Sequence, residues 1–242
     1  DRMGFNGYFL IVKDIIDNAR KQKVPVGPGR GSGAGSIVAY LLDITQIDPL
    51  KYGLVFERFL NPDRISMPDI DIDFCAQNRS KVIDYIIQRY GRESVTQIIT
   101  FSTLGAKSVI KDVARVLSVP AAEANAITKT IPGNNKTLDE AYNQYPEFTS
   151  LINSNDLYRT IFKHSKVLEG LVRQTSVHPA GVVIAPGDLT DYVPLACSTQ
   201  KNEEKVILVQ FEGKWLNDLK LLKMDILGLK NLTLIQKTID LV

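Results

Sequence analysis

Cysteine is nearly absent from the 242-residue chain, with only Cys75 and Cys197, far apart. Two thiols in a chain of this size make no disulfide framework, so a reducing compartment is the expected home. Long apolar runs are absent as well. No stretch approaches the roughly 18 residues that a membrane span requires, and Asp1-Arg2-Met3-Gly4 lacks the basic-then-apolar order of a secretory leader. The expectation is a cytoplasmic chain with no membrane partner. The two histidines, His164 and His178, do not fall at zinc-site spacing from the cysteines. An excess of one charge is also missing: 29 basic and 27 acidic residues leave a net charge of +2, which taken alone argues against a bulk electrostatic binder of nucleic acid. What the chain does have is apolar content of 44%, enough to bury a core, which excludes disordered, collagen-like and coiled-coil architectures. Its length suits one large or two modest domains. It starts without Met and stops within Leu229-Lys230-Asn231-Leu232-Thr233-Leu234-Ile235, apolar at helical spacing with no Gly or Pro to end it. It reads as a piece of a longer chain.

Periodicity orders the elements. Tyr8 to Lys23 is an expected amphipathic helix with Phe9, Val12, Ile15, Ile16 and Ala19 inward and a basic last turn. Ile37–Leu42 and Leu50–Leu60 are further helix candidates. From Ile65 to Phe74 the period becomes two, as in a strand, and Ala76–Tyr90 returns to helical spacing before a second strand at Val95–Phe101. To about Arg173 the pattern is helical, broken by Pro132-Gly133-Asn134-Asn135. Strand-like runs resume at Gly181–Ala185, Val206–Phe211 and Leu219–Ile226. The order implies an α+β domain interrupted by an all-helical insertion.

Asp69, Asp71 and Asp73 alternate with Ile70, Ile72 and Phe74. On a strand the three carboxylates would share one face, successive ones about 6.5–7 Å apart at the backbone. Like charges in a row repel, and divalent cations such as Mg²⁺ relieve the repulsion through hard oxygen ligands; paired metals are the common solution for phosphoryl or nucleotidyl transfer. The competing reading is an acidic edge strand guarded against aggregation.

Gly27-Pro28-Gly29-Arg30-Gly31-Ser32-Gly33-Ala34-Gly35-Ser36 puts five glycines into nine residues between a short strand-like segment and a helix. So many glycines argue against an element interior. Backbone N–H groups at a helix start, with the Arg30, Ser32 and Ser36 side chains, suit phosphate oxygens. No Walker Lys-Ser/Thr follows, whereas Gly29 to Ala34 fits the alanine-ended dinucleotide fingerprint, the alternative reading, that of an oxidoreductase domain. Lys107, Lys111 and Arg115 recur every four residues on the expected helix Gly105–Leu117, a basic stripe about 12 Å long that is either a solvated face or a run of phosphate contacts. On the second alternative, a non-catalytic DNA-binding module, the carboxylates have no role. Arg58 and Arg64 lie just ahead of the acidic strand. Lys223 and Asp225 share a strand face, compatible with a simple ion pair, and Trp215 is expected in the core.

Four ordered stretches together carry a resemblance. The loop Val26 to Ser36, Phe56-Glu57-Arg58-Phe59-Leu60-Asn61-Pro62, Met67-Pro68-Asp69-Ile70-Asp71-Ile72-Asp73-Phe74 and Lys223-Met224-Asp225-Ile226-Leu227-Gly228-Leu229 resemble the catalytic core of the family C replicative DNA polymerases of bacteria, their polymerase III alpha subunits. The resemblance implies a nucleotidyltransferase palm of the polymerase-beta type with a mixed sheet, in residues 1–100 and 179–228. It implies a helical thumb at 101–178 and the start of the fingers at 229–242. It makes Asp69, Asp71 and Asp225 the catalytic carboxylates holding two Mg²⁺ ions, and gives Asp73 no equal role. Arg30, Gly31, Ser32, Gly33 and Ser36 would hold the incoming deoxynucleoside triphosphate, helped by Arg58, Arg64 and Lys223; Lys107, Lys111 and Arg115 would meet primer-template DNA. The implied activity is addition of deoxynucleoside monophosphates to a primer 3′-hydroxyl. In such a family a phosphoesterase-like domain precedes this region, and most of the fingers, a sliding-clamp contact and a single-strand-binding fold follow it. The other replisome subunits are further implied partners, and the segment alone is expected to be inactive or nearly so.

Overall fold

The computed structural model describes residues 3–61, 68–133, 137–199, 205–216, 218–219 and 221–242. The chain divides into two units, Asp1–Thr100 with Val177–Val242, and Phe101–Ser176. Ten α-helices and a six-stranded mixed sheet are present among the described residues, an α+β fold.

In the first unit, α1 (Asn6–Lys21) buries Tyr8, Phe9, Val12, Ile15, Ile16 and Ala19, the stripe that its periodicity requires. It packs with α3 (Arg79–Tyr90), which buries Val82, Ile83 and Ile86. Both cover β1 (Ile72–Cys75) and β6 (Leu222–Leu229) in one apolar cluster that includes Phe74, Met224 and Ile226. The sheet order is β1-β6-β3-β2-β5-β4, with β2 at Val95–Thr103, β3 at Val172–Ile184, β4 at Leu195–Thr199 and β5 at Lys205–Val209. β1 runs parallel to β6, and β6 antiparallel to β3. A second cluster, Ile98, Val183, Leu189, Val209, Leu216 and Leu221, fills the space around β2, β3 and β5. The chain leaves this unit within β2 and returns within β3. No described helix is long and apolar enough to cross a membrane.

The second unit is helical: α4 (Ala106–Val116), α5 (Ala121–Lys129), α6 (Leu138–Gln144), α7 (Pro146–Asn153) and α8 (Asp156–Leu168). Val109, Ile110, Ile127, Leu138, Phe148, Ile152 and Ile161 form its own core. Local chemistry sets the helix starts, through a Thr137–Glu140 capping box at α6 and the Asn155 side chain accepting from Tyr158 N–H at α8. The strand stretches at 101–103 and 172–176 extend the expected strands further than periodicity indicated.

Four expectations need correction. Leu50–Leu60 is not a helix: Asp48 Oδ1 turns the chain by accepting from Leu50 and Lys51 N–H, Gly53 takes φ +60°, and only Phe56–Arg58 coils, as a 3₁₀ turn. The strand expected from Ile65 to Phe74 is confined to Ile72–Cys75; Asp69 and Asp71 precede it outside regular secondary structure, and 62–67 lie outside the described residues. The glycine run is an element after all, because Gly31–Gly35 closes one 3₁₀ turn leading to α2 (Ile37–Leu41). Trp215 is 53% exposed because the four-residue helix α9 (Gly213–Leu216) turns Leu216 inward instead. A mixed sheet also departs from the parallel sheet that the dinucleotide alternative needs.

The glycine loop is tied to the free edge of β1. Gly27 N–H donates to Asp73 O at 2.7 Å and Cys75 N–H to Pro25 O at 2.9 Å. Gly29 sits at φ +92°, and a β-carbon there would come within 2.6 Å of Thr45 Cγ2. Gly29→Ala is therefore expected to lower unfolding free energy by about 1–2 kcal/mol, seen as a lower urea midpoint at unchanged slope.

Candidate metal centre

Asp69 and Asp71 come from the segment just before β1, and Asp225 from the middle of β6. Parallel pairing of Ile72 with Ile226 carries residues more than 150 apart in sequence to one place. One carboxylate oxygen from each of Asp69, Asp71 and Asp225 lies within 4.8 Å of the others. Asp73 is not in this group; it is 8% exposed, and both its oxygens accept from Arg30 Nε, at 3.1 and 3.3 Å.

Two cations line the carboxylates. Arg30 Nη1 lies 2.9 Å from Asp71 Oδ2, and Lys223 Nζ donates to Asp225 Oδ2 at 2.8 Å. The second oxygen of Asp225, Oδ1, is buried and has no hydrogen-bond partner among the described residues. A buried anionic oxygen left unpaired is costly, and a hard cation is the group that such an oxygen fits. Asp69 titrates above the ordinary carboxylate range: partial loss of its water shell is the main cause, Lys223 opposes it, and the Asp71 and Asp225 charges add to it. A divalent cation would reverse that penalty. The three aspartates thus fit a metal.

The segment carrying Asp69 and Asp71 is pinned from α1. Ile70 N–H, between the two ligands, donates to the Tyr8 hydroxyl at 2.8 Å. Burial, with the three carboxylates as a smaller contribution, pushes the Tyr8 phenol far up, so it stays protonated. Sequence reading placed Tyr8 only as a helix residue. Its signal was a polar-tipped aromatic on the buried stripe with Val12, Ile15 and Ala19, where a hydroxyl needs a partner. Tyr8→Phe strands a buried N–H and should lower stability by about 1–2 kcal/mol, measured by thermal unfolding with and without Mg²⁺; an unchanged midpoint would count against the role of the hydroxyl.

His178, discounted as a zinc ligand, lies close enough to Asp225 to feel its charge. Its Nδ1 accepts from Gly181 N–H at 2.6 Å and from Ala180 N–H at 3.2 Å, which puts the ring proton on Nε2. Burial holds its pKa below the usual value against the pull of Asp225. Gly181, the β3 partner of Asp225, makes room: a β-carbon there would stand 2.8 Å from His178 Nδ1.

The remaining expected site residues are scattered in role. Gly31, Ser32 and Gly33 lie in the 3₁₀ turn beside Arg30. Ser36 is fully buried, and its Oγ accepts from Ala39 N–H at 3.2 Å, so the hydroxyl read as a phosphate donor caps α2 instead. Arg58 is exposed on its 3₁₀ turn; Arg64 lies outside the described residues. In the helical unit Lys111 and Arg115 are exposed and Lys107 is half-buried. Asp112 pairs with Arg115 at 3.4 Å and with Arg173 at 3.0 Å, which offsets part of that stripe's charge.

Comparison with known proteins follows the same residues. The profile of the bacterial DNA polymerase III alpha NTPase domain matches residues 1–228, taking in all three aspartates and the glycine loop. The chain belongs to this family. Similar proteins include the DNA polymerase III subunit alpha of Treponema pallidum, 52% identical over 242 residues, that of Borreliella burgdorferi, 50% over 240, and that of Bacillus subtilis, 48% over 242. These alignments cover 99–100% of this chain but only 20–21% of each relative. The chain spans about a fifth of the length of the curated polymerase III alpha relatives that it matches.

Proposed function

We propose that this chain is the nucleotidyltransferase palm, with the helical unit as thumb, of a DNA-directed DNA polymerase that extends a primer 3′-hydroxyl from deoxynucleoside triphosphates. The observation that carries the reading is the meeting of Asp69, Asp71 and Asp225 oxygens within 4.8 Å, in a chain of the polymerase III alpha family. Family membership alone would be satisfied by a scaffold; three converging carboxylates, one with a buried oxygen that no described residue pairs, are what metal-assisted phosphoryl chemistry asks for.

The three aspartates would hold two Mg²⁺ ions. When bound, these supply Lewis acidity, lowering the pKa of the primer hydroxyl and offsetting triphosphate charge. The chain's own residues do the positioning. Arg30, on a loop anchored to β1, and Lys223, on the β6 face beside Asp225, stand where triphosphate oxygens would lie next to the carboxylates. The backbone of Gly31–Gly33 and the Ser32 hydroxyl would add neutral donors, and Arg58 and Arg64 further positive charge. In-line displacement at the α-phosphorus with pyrophosphate leaving is the reaction class, and fixed charge rather than a covalent intermediate lowers its barrier. Lys107, Lys111 and Arg115 would contact the duplex backbone. Setting Asp69, Asp71, Asp73 and Asp225 aside leaves a larger basic surplus in the rest of the chain, so the near-neutral total does not argue against DNA. The sliding clamp and other replisome subunits would be partners of the whole protein.

The test is template-directed primer extension by the full-length subunit containing this segment, unaltered and with Asp71→Asn. Loss of extension in the variant supports the reading; near-normal extension refutes it.

A further inference from the structure

The third aspartate of the motif has no place among the candidate metal ligands, yet it is the most buried of the three, and burying a carboxylate needs a reason. Its surroundings supply one. Asp73 sits in β1, where all four residues are buried. Gly27 crosses directly over it, donating its N–H to Asp73 O at 2.7 Å, and a β-carbon on Gly27 would stand 3.0 Å from Asp73 Cβ. That close approach brings the following loop, and with it Arg30, across the carboxylate.

Arg30 meets Asp73 through one edge only. Its Nε lies 3.1 and 3.3 Å from the two Asp73 oxygens, while Nη1 reaches Asp71 Oδ2 at 2.9 Å. The Asp73 side chain is 9% exposed and the Arg30 side chain 47%. The Nε edge of the guanidinium is therefore held by a dry carboxylate, while Nη1 is shared with the partly exposed Asp71 and the group as a whole stays half-exposed. A long arginine on a glycine loop would otherwise sample many rotamers, and ordering it on ligand binding costs affinity. An anchored planar fork is already ordered.

We propose that Asp73 is a positioning residue: it holds Arg30 by Nε so that the guanidinium is preset to bind the triphosphate next to the metal-ligating aspartates. This inference rests on the reading of the site as a nucleotidyl-transfer centre. It gives the three aspartates of one motif two roles, Asp69 and Asp71 for cations and Asp73 for the arginine.

A double-mutant cycle in the full-length subunit tests it, with primer extension measured as KM for the deoxynucleoside triphosphate and as kcat. Asp73→Ala and Arg30→Ala should each raise KM roughly 10-fold to 100-fold, more than either lowers kcat. The double variant should be no worse than Arg30→Ala alone. Asp73→Asn, which keeps shape and one acceptor, should give a smaller KM rise that also vanishes in the Arg30→Ala background, and it serves if Asp73→Ala does not fold. Effects that add in the double variant, or a loss carried by kcat with a raised Mg²⁺ requirement, would overturn the proposal. The Asp71→Asn variant separates the two levels. If it retains normal extension, the nucleotidyl-transfer reading itself fails; if it is inactive while Asp73 and Arg30 do not couple, only the present inference fails.

Discussion

Asp71→Asn in the full-length subunit is expected to cut primer extension by at least about a thousandfold, equivalent to about 4 kcal/mol of transition-state stabilisation, while the protein keeps its fold. The substitution is nearly isosteric and leaves an oxygen that can still accept from Arg30 Nη1, now 2.9 Å from Asp71 Oδ2. Both side chains are partly exposed, 47% for Arg30 and 30% for Asp71, so solvent screening keeps the lost ion pair below about 1 kcal/mol of stability. Activity has no such cushion. With Asn at 71 the cluster offers two anionic ligands instead of three, and the one lost is the aspartate of the cluster that pairs with Arg30. Steady-state extension assays and parallel circular-dichroism melts give the split: a large fall in kcat with a melting midpoint within a few degrees. Asp225→Asn should match the loss in rate but cost more stability, since it leaves the Lys223 ammonium, 27% exposed, without its anionic partner.

How far the site was legible in the sequence differs from residue to residue. Alternation exposed Asp69 and Asp71, because acids at every second position repel one another and call for either a cation or an edge-strand role. It could not separate Asp73 from them, since the period of two puts all three on one face. What separates them is the end of regular pairing: the ladder starts at Ile72, so Asp69 and Asp71 lie ahead of the strand, whereas Asp73 is inside it and covered by Gly27 and Arg30. Asp225 was legible only through resemblance. Nothing local in Lys223-Met224-Asp225 says that β6 will pair in parallel with β1, a non-local event that a one-dimensional pattern does not carry.

The fold was legible where one face is dry and the other wet. α1 buries the stripe that its spacing marks, and α3 and α4 do the same. Reading failed where tertiary or turn chemistry overrides spacing. Leu50–Leu60 has apolar residues at helical intervals, yet Asp48 and Gly53 impose turns on it. The glycine run closes a 3₁₀ turn because three of its members, Gly33, Ala34 and Gly35, are buried. Gly35 has no room for a side chain, since a β-carbon there would lie 2.9 Å from Val55 O. β4 has no marked alternation and exists by its full pairing with β5, from Leu195–Val209 to Thr199–Lys205.

The second large effect is stabilisation by divalent cations and its dependence on pH. Without metal, the folded chain holds Asp69 near Asp71 and Asp225 and partly out of water, so its pKa is raised in the folded state. The sign follows from linkage. In the window between the ordinary carboxylate pKa and the raised one, the folded state binds more protons than the unfolded state, so stability falls as pH rises through the folded pKa, and the penalty is greatest above it. A cation reverses the trend, because it binds the ionised carboxylates and competes with their protons. Adding Mn²⁺ or Mg²⁺ at pH 7 to a hundredfold excess over its dissociation constant should therefore raise unfolding free energy by about 2.7 kcal/mol. The same addition at about pH 3, below the ordinary carboxylate pKa of about 3.9, should do little, because a carboxyl whose pKa is raised holds its proton there. Asp69→Asn should have the opposite effect on the two states, raising the metal-free midpoint at pH 7 and removing most of the metal response. Thermal or urea melts with chelator and with each cation, at both pH values, decide the matter. A midpoint that ignores Mg²⁺ and Mn²⁺ at pH 7, or a response that survives Asp69→Asn in full, would mean that the three carboxylates do not form the cation site and that the unpaired Oδ1 of Asp225 is satisfied in some other way.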